Sequence, residues 1–249
     1  MSSPSYLQSV TLAIKNQAIF TFMLSFGLQV GVFYTFIAAL PQFLSSWLGS
    51  REIGLGILYQ VSGIIGTYLS GNLLDKLNQQ YHRWIIHGLI FGAIIGISVF
   101  AWSVTITSSD NLSVFEEKSG VNFDFYQPSR CHLVRVVQCS CILLGFCLAG
   151  LNTVGLEYGT ALSFPANEAA ISGMMECVAE LAGFLMLTCG GRIQSQNDEA
   201  IIDHGRLSND TGSITVSGET KFISLLLLGL ISSHVLFTLT STARSKRPQ

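Results

Sequence analysis

Charge is scarce in this chain. Its 13 Lys and Arg and 15 Asp and Glu among 249 residues make 11% charged, against roughly 25% in ordinary soluble domains. With 49% hydrophobic residues and a mean hydropathy of +0.49, that shortage excludes an ordinary soluble globular domain. A net charge of -2 argues for no partner, and the lack of any basic block removes nucleic acid. Alternating segments of strand length are also missing, which leaves helices, whose backbone groups are satisfied internally, as the elements that cross a bilayer. The opening residues MSSPSYLQSV lack the basic start, apolar run and small-residue cleavage site of a signal peptide, so the first span is expected to stay in the protein. Of six cysteines, Cys139, Cys141, Cys147 and Cys177 fall inside apolar spans, where a thiol packs as a small hydrophobe. Only Cys131 and Cys189, near the outer ends of adjacent spans, are placed to bridge. There is no intramembrane Ser/His pair in a Gly-x-Ser context, no Asp pair and no His-rich cluster. The expectation is therefore no enzyme, no metal and no cofactor.

What is present is a series of long apolar runs. Crossing about 30 Å of hydrocarbon takes about 20 apolar residues in a helix, and six segments qualify: 17–40, 53–74, 84–106, 133–156 (extendable to 163), 169–189 and 222–242. The expected fold is an all-α polytopic membrane protein, residues 1–249 forming a single six-helix bundle with the lipid bilayer as its surroundings. Small residues recur four apart, Gly27 with Gly31, Gly92 with Gly96 and Gly155 with Gly159, as close helix packing in lipid requires. Gly63, Gly66 and Gly71 read the same way.

Orientation follows from the short flanks. Lys15, then Lys76 and Arg83, then Arg244, Lys246 and Arg247 lie close to span ends, where a positive excess marks the cytoplasmic side. Both termini are then cytoplasmic, and residues 107–132 and 190–221 form extracytoplasmic loops. Each loop carries one glycosylation sequon, Asn111-Leu112-Ser113 and Asn209-Asp210-Thr211, and a sequon on the outer side marks passage through the secretory pathway. The plasma membrane is the expected location.

The chemistry concentrates between residues 150 and 183. An apolar helix arrives carrying Glu157, the chain breaks at Phe164-Pro165, and a second apolar helix leaves carrying Glu176 and Glu180. A charged carboxylate at mid-bilayer costs roughly 2.5 to 3.5 kcal/mol, so these groups must be inward, protonated or paired. Four residues apart, Glu176 and Glu180 share one helix face, which suits either a proton carrier or an anionic patch for a cationic solute. Tyr34, at mid-span in the first helix, can hold a cation against its ring for up to about 2 kcal/mol, and Gln29 can add a neutral hydrogen bond. Packing is the competing role for both. Gly71, Asp75 and Lys76 at the cytoplasmic end of the second span can latch neighbouring helices in one conformation, or form a solvated turn. His87 and His234 lie within spans and could carry protons or ligate iron, although a lone membrane histidine is more often a hydrogen-bonded packing residue, and nothing in the sequence joins the two into a metal site.

The run GLEYGTALSFPANE (155–168) followed by SGMMECVAELAG (172–183) resembles the family of heme and choline transporters related to the feline leukaemia virus subgroup C receptor, a solute-carrier branch of the major facilitator superfamily. FGLQVGVFY (26–34) is similar to that family's Tyr-Gly-x-Asn-x-Gly-x-Phe-Tyr, and GNLLDK (71–76) to the superfamily's cytoplasmic Gly-x-x-x-Asp-Arg/Lys turn. The resemblance covers nearly all of residues 15–242 apart from the two loops. It implies that the chain corresponds to the carboxy-terminal six-helix half of a facilitator fold built from two halves, with the binding site between them. It also implies that Tyr34 lines the solute cavity, that Glu180 stands where a cavity-facing Gln is usual, and that Glu157, Pro165 and Glu168 belong to the signature. Three positions depart from it: Ala161 replaces a second signature Glu, Asn167 a Pro, and Glu180 that Gln.

The reading is thus a membrane transporter of a small solute, a choline-like cation or heme, working by alternating access and completed by an amino-terminal half or a second copy. A cation suits Tyr34 and the glutamates better, because heme propionates call for basic partners and Arg135 is the one basic residue expected within a span. The alternative is a truncated, non-transporting membrane protein that regulates or scaffolds a full-length relative. The orientation has a direct test. Removing N-linked glycans from protein expressed in mammalian cells is expected to shift its gel mobility, with Asn111→Gln and Asn209→Gln each removing one step; an unglycosylated protein would contradict the assignment.

Overall fold

The computed structural model describes residues 6–48, 52–77, 81–116, 128–204 and 211–245. Among them are seven helices: α1 (Tyr6–Lys15), α2 (Gln17–Leu48), α3 (Glu52–Lys76), α4 (His82–Glu116), α5 (Pro128–Ser163), α6 (Glu168–His204) and α7 (Thr211–Ser245). Five contain stretches long and apolar enough to cross a membrane: Gln17–Pro41, His82–Ile106, His132–Ser163, Glu168–Ile193 and Thr220–Thr240. The expected second span is helical as α3, but Gln60, Ser62, Thr67, Ser70, Asn72 and its glycines dilute its apolar character. Apolarity therefore assigns five crossing helices where six were expected. Helix also continues into both long connections, through residue 116 in α4, to residue 204 in α6 and from residue 211 in α7.

Local chemistry sets the boundaries. Asn16 separates α1 from α2, its Oδ1 accepting the Ala18 N–H at 3.3 Å, as an N-cap does. After α5 the chain turns at Phe164-Pro165, and Asn167 caps α6 by accepting from Ala169 N (3.0 Å) and Ala170 N (3.4 Å). The signature's usual Pro can offer no such side-chain acceptor, which gives Asn167 a structural role of its own. Glu168 follows in the first turn, where a carboxylate meets the positive end of the helix dipole. α1, absent from the expected spans, docks at this break: Ser9 is buried and its Oγ accepts from Asn167 N at 3.0 Å.

α2 is the central element, with 67% of its span buried against 33% for that of α6. It packs on α6 and α7, with α3 and α4 meeting α5 beside it. The small residues make this possible. A Cβ built on Gly27 would lie 2.6 Å from Val178 Cγ1, and one on Gly31 2.9 Å from Gly183 N, while Gly92 and Gly96 on α4 face Cys147 and Leu144 of α5. The expectation of close packing holds at these positions and at Gly155, which faces Phe26. It does not hold at Gly71, where a side chain would meet nothing within 4 Å among the described residues. Phe36 joins the helices in the core, its ring 5.2 Å from Phe100 and 5.5 Å from Tyr59. Cys189 is a free thiol, so the Cys131–Cys189 bridge is not formed.

Gly31→Leu forces side-chain atoms into the α6 backbone and is expected to cost at least about 1–3 kcal/mol. Gly88, on α4 with open space around it, accepts the same change without loss. Thermal unfolding of both variants in detergent tests this; equal midpoints would contradict the α2–α6 contact.

Candidate functional site

Of the five expected binding residues, the fold brings three together. Tyr34 stands on α2 beside Gly183 of α6, the Tyr34 Cβ being 3.7 Å from where a Gly183 side chain would begin. Its hydroxyl lies within electrostatic reach of both Glu176 and Glu180, and the two carboxylates are within reach of each other. Thr35 fixes this register from the inner side of α2 by donating to the carbonyls of Gly31 (2.7 Å) and Gly183 (3.3 Å). At a rise of about 1.5 Å per residue, Glu176 and Glu180 sit roughly 12 and 18 Å along α6 from Glu168, at the middle depth of a bilayer.

These groups lie on the surface of the bundle formed by this chain and not inside it. Tyr34 and Glu176 are partly exposed, and Glu180 is exposed. Glu157 is also exposed, near the end of α5. Helices two and six lie too close for a carboxylate to fit between them, so the acids occupy the outer surface of the bundle formed by this chain.

Gln29 does not join them. It is buried, and its Nε2 donates to Ser25 Oγ at 3.2 Å while Ser25 Oγ donates to the Ser233 carbonyl at 2.8 Å. This relay ties α2 to α7 and gives Gln29 a packing role. At the proposed latch, Asp75 and Lys76 are exposed, and the open space around Gly71 leaves it without a close helix approach among the described residues. Asn111 lies within α4, and Asn209 lies outside the described residues.

A mainly apolar groove of about 490 Å³, walled by Phe33, α3 and α5, adjoins the acidic face. Phe33 links the two, with its ring 5.5 Å from that of Tyr34 and 5.7 Å from that of Tyr59. Gln60, Thr67 and Tyr68 of α3 and Asn152 and Thr153 of α5 supply its polar lining. Asn152 Oδ1 is buried and has no hydrogen-bond partner among the described residues. None of these residues stood out in sequence. Their signal was the spacing of Gln60, Thr67 and Tyr68, which places them on one side of a helix that is otherwise glycine-rich and apolar.

No protein-family model matches the chain. In sequence it is similar to the choline/ethanolamine transporter flvcr2b of Danio rerio, 23% identical over 194 residues that cover 77% of this chain and 34% of that protein. It is similar also to the choline/ethanolamine transporter FLVCR1 of Mus musculus, 21% identical over 234 residues covering 93% and 35%. A third relative is an uncharacterized MFS-type transporter of Caenorhabditis elegans, 23% identical over 166 residues covering 66% and 24%. The resemblance read from the motifs is borne out. The chain spans about a third of the length of the first two relatives.

The Gln29 relay yields a stability test. Ser25→Ala leaves the buried Gln29 amide without its acceptor and the Ser233 carbonyl without its donor, at an expected cost of about 1–3 kcal/mol. Replacing both partners, as Ser25→Ala with Gln29→Leu, is expected to recover most of that loss in a double-mutant cycle. Additive losses would place Gln29 elsewhere.

Proposed function

We propose, from the kinship of this chain with the choline/ethanolamine transporters of the major facilitator superfamily, that it carries one face of a transporter's solute cavity and that the solute is a small choline-like cation. The observation that carries this reading is the placement of Tyr34, Glu176 and Glu180 on the outer surface of the bundle at mid-membrane depth. Facing lipid, two ionised carboxylates would cost roughly 5 to 7 kcal/mol. Facing a water-filled cavity closed by another set of helices, they cost far less and offer negative charge to a cation. The neighbouring groove, reached past Phe33, adds neutral donors and acceptors from Gln60, Thr67 and Asn152. None of the residues named on this side is basic, which disfavours heme, whose propionates need cationic partners.

The role of each group follows from its chemistry. Tyr34 presents an aromatic face to the quaternary or primary ammonium, worth up to about 2 kcal/mol when desolvated. Glu180 and Glu176 supply the counter-charge, and their mutual repulsion favours a state in which a bound cation separates them. The second wall of the cavity comes from an amino-terminal half or a second copy of this chain, and alternating access is rocking of the two walls about the solute. Both termini face the cytoplasm of a cell at its plasma membrane. Glu157 lies toward the cytoplasmic opening of the same pathway.

Saturable uptake of labelled choline by cells expressing this chain is the test, beside Tyr34→Ala and Glu180→Ala at matched surface levels. Each variant is expected to lower apparent affinity at least tenfold, since losing about 1.4 kcal/mol of cation binding corresponds to that factor. Uptake unchanged by both substitutions would overturn the assignment of the cavity. Surface expression with no uptake by the chain, alone or with an amino-terminal half, would favour the regulatory alternative.

A further inference from the structure

Two histidines that nothing in the sequence joined meet in the bundle. His87, in the second turn of α4, and His234 of α7 bring Nδ1 and Nε2 to 3.1 Å, with ring centroids 5.1 Å apart and planes crossing at 76°. Phe237 packs against His87 at 4.8 Å. Both rings are partly buried. The groups facing the pair come from every neighbouring helix. On α4, Arg83 lies one turn back and within electrostatic reach of His87. On α5, the Tyr158 hydroxyl accepts from Arg83 Nε at 3.1 Å. α2 presents Phe22, which packs on Tyr158 and Phe237.

A nitrogen-to-nitrogen contact of 3.1 Å between imidazoles is a hydrogen bond, which requires one N–H and one bare lone pair. The two tautomers are therefore interlocked: if His234 Nε2 carries hydrogen, His87 Nδ1 cannot, and the reverse. One added proton goes to a distal ring nitrogen and leaves the bond in place as a charge-assisted N–H···N contact. A second proton places N–H against N–H between two cations, beside the Arg83 guanidinium. We propose that His87 and His234 form a single proton-binding site that accepts one proton and refuses a second for as long as α4 and α7 stay together. The site lies apart from Tyr34, Glu176 and Glu180, and it stands whether or not the chain transports a cation. Its consequence is that full protonation of the pair must part α4 from α7 at this level, so that acidification acts on the packing of these two helices.

The experiment is nitrogen NMR of the full chain, labelled with ¹⁵N-histidine and held in lipid nanodiscs, across a pH titration. The expected result has two parts: scalar coupling across the His87 Nδ1···His234 Nε2 contact at neutral pH, and two protonation steps shared by both rings and separated by more than about one pH unit. In His87→Gln the remaining ring is expected to titrate in one step, with the coupling gone. Absence of the coupling in the unmodified protein, with both histidines titrating independently in single steps, would overturn the proposal without reference to any variant.

Discussion

In a bilayer the lipid tails are as apolar as leucine, so helices gain little by exchanging lipid for one another and associate through close packing and hydrogen bonds. The contact that meets this constraint most directly joins α2 to α6. Gly27 and Gly31 leave room for Val178, Ala182 and Gly183, and Thr35 spans the resulting gap to the Gly183 carbonyl. That approach sets the height of Tyr34 against the carboxylates of α6. It also leaves no space between the helices for a glutamate side chain, so the acids turn outward.

The bundle divides its polar groups by strength. Its buried hydroxyls donate to backbone carbonyls, across helices from Ser25 to Ser233 and back within α3 from Ser62 to Tyr59 and from Ser70 to Gly66. Such bonds satisfy a buried donor at little cost. The ionisable groups Glu157 and Glu180 and the amide of Gln60 stand instead on exposed surfaces.

The break between α5 and α6 shows how a departure from a family signature can be read. Proline at 167 would hold the chain by its ring, whereas Asn167 caps α6 through its side chain and donates its N–H to Ser9 of α1. The turn that separates Glu157 from Glu176 is thereby tied to the short leading helix.

The kinship rested separately on the resemblance of three motifs, while composition, run length and residue spacing were enough for the all-helical membrane class, the break at Phe164-Pro165 and the packing role of the paired glycines. These depend on local properties, namely the transfer cost of a segment and the size of a residue at helical spacing. That Glu176 and Glu180 stand together was also legible, because residues four apart share a helix face; that Tyr34 stands beside them came only with the packing of α2 on α6. Tertiary structure alone decided which way those faces point. It set Gln29 in a relay with Ser25, left Gly71 without a close neighbour among the described residues, kept Cys189 free, opened the groove at Asn152 and brought His87 to His234. The physical reason is the same in each case: these outcomes turn on the rotation and register of helices distant in the chain, and an apolar sequence fixes neither until the helices touch.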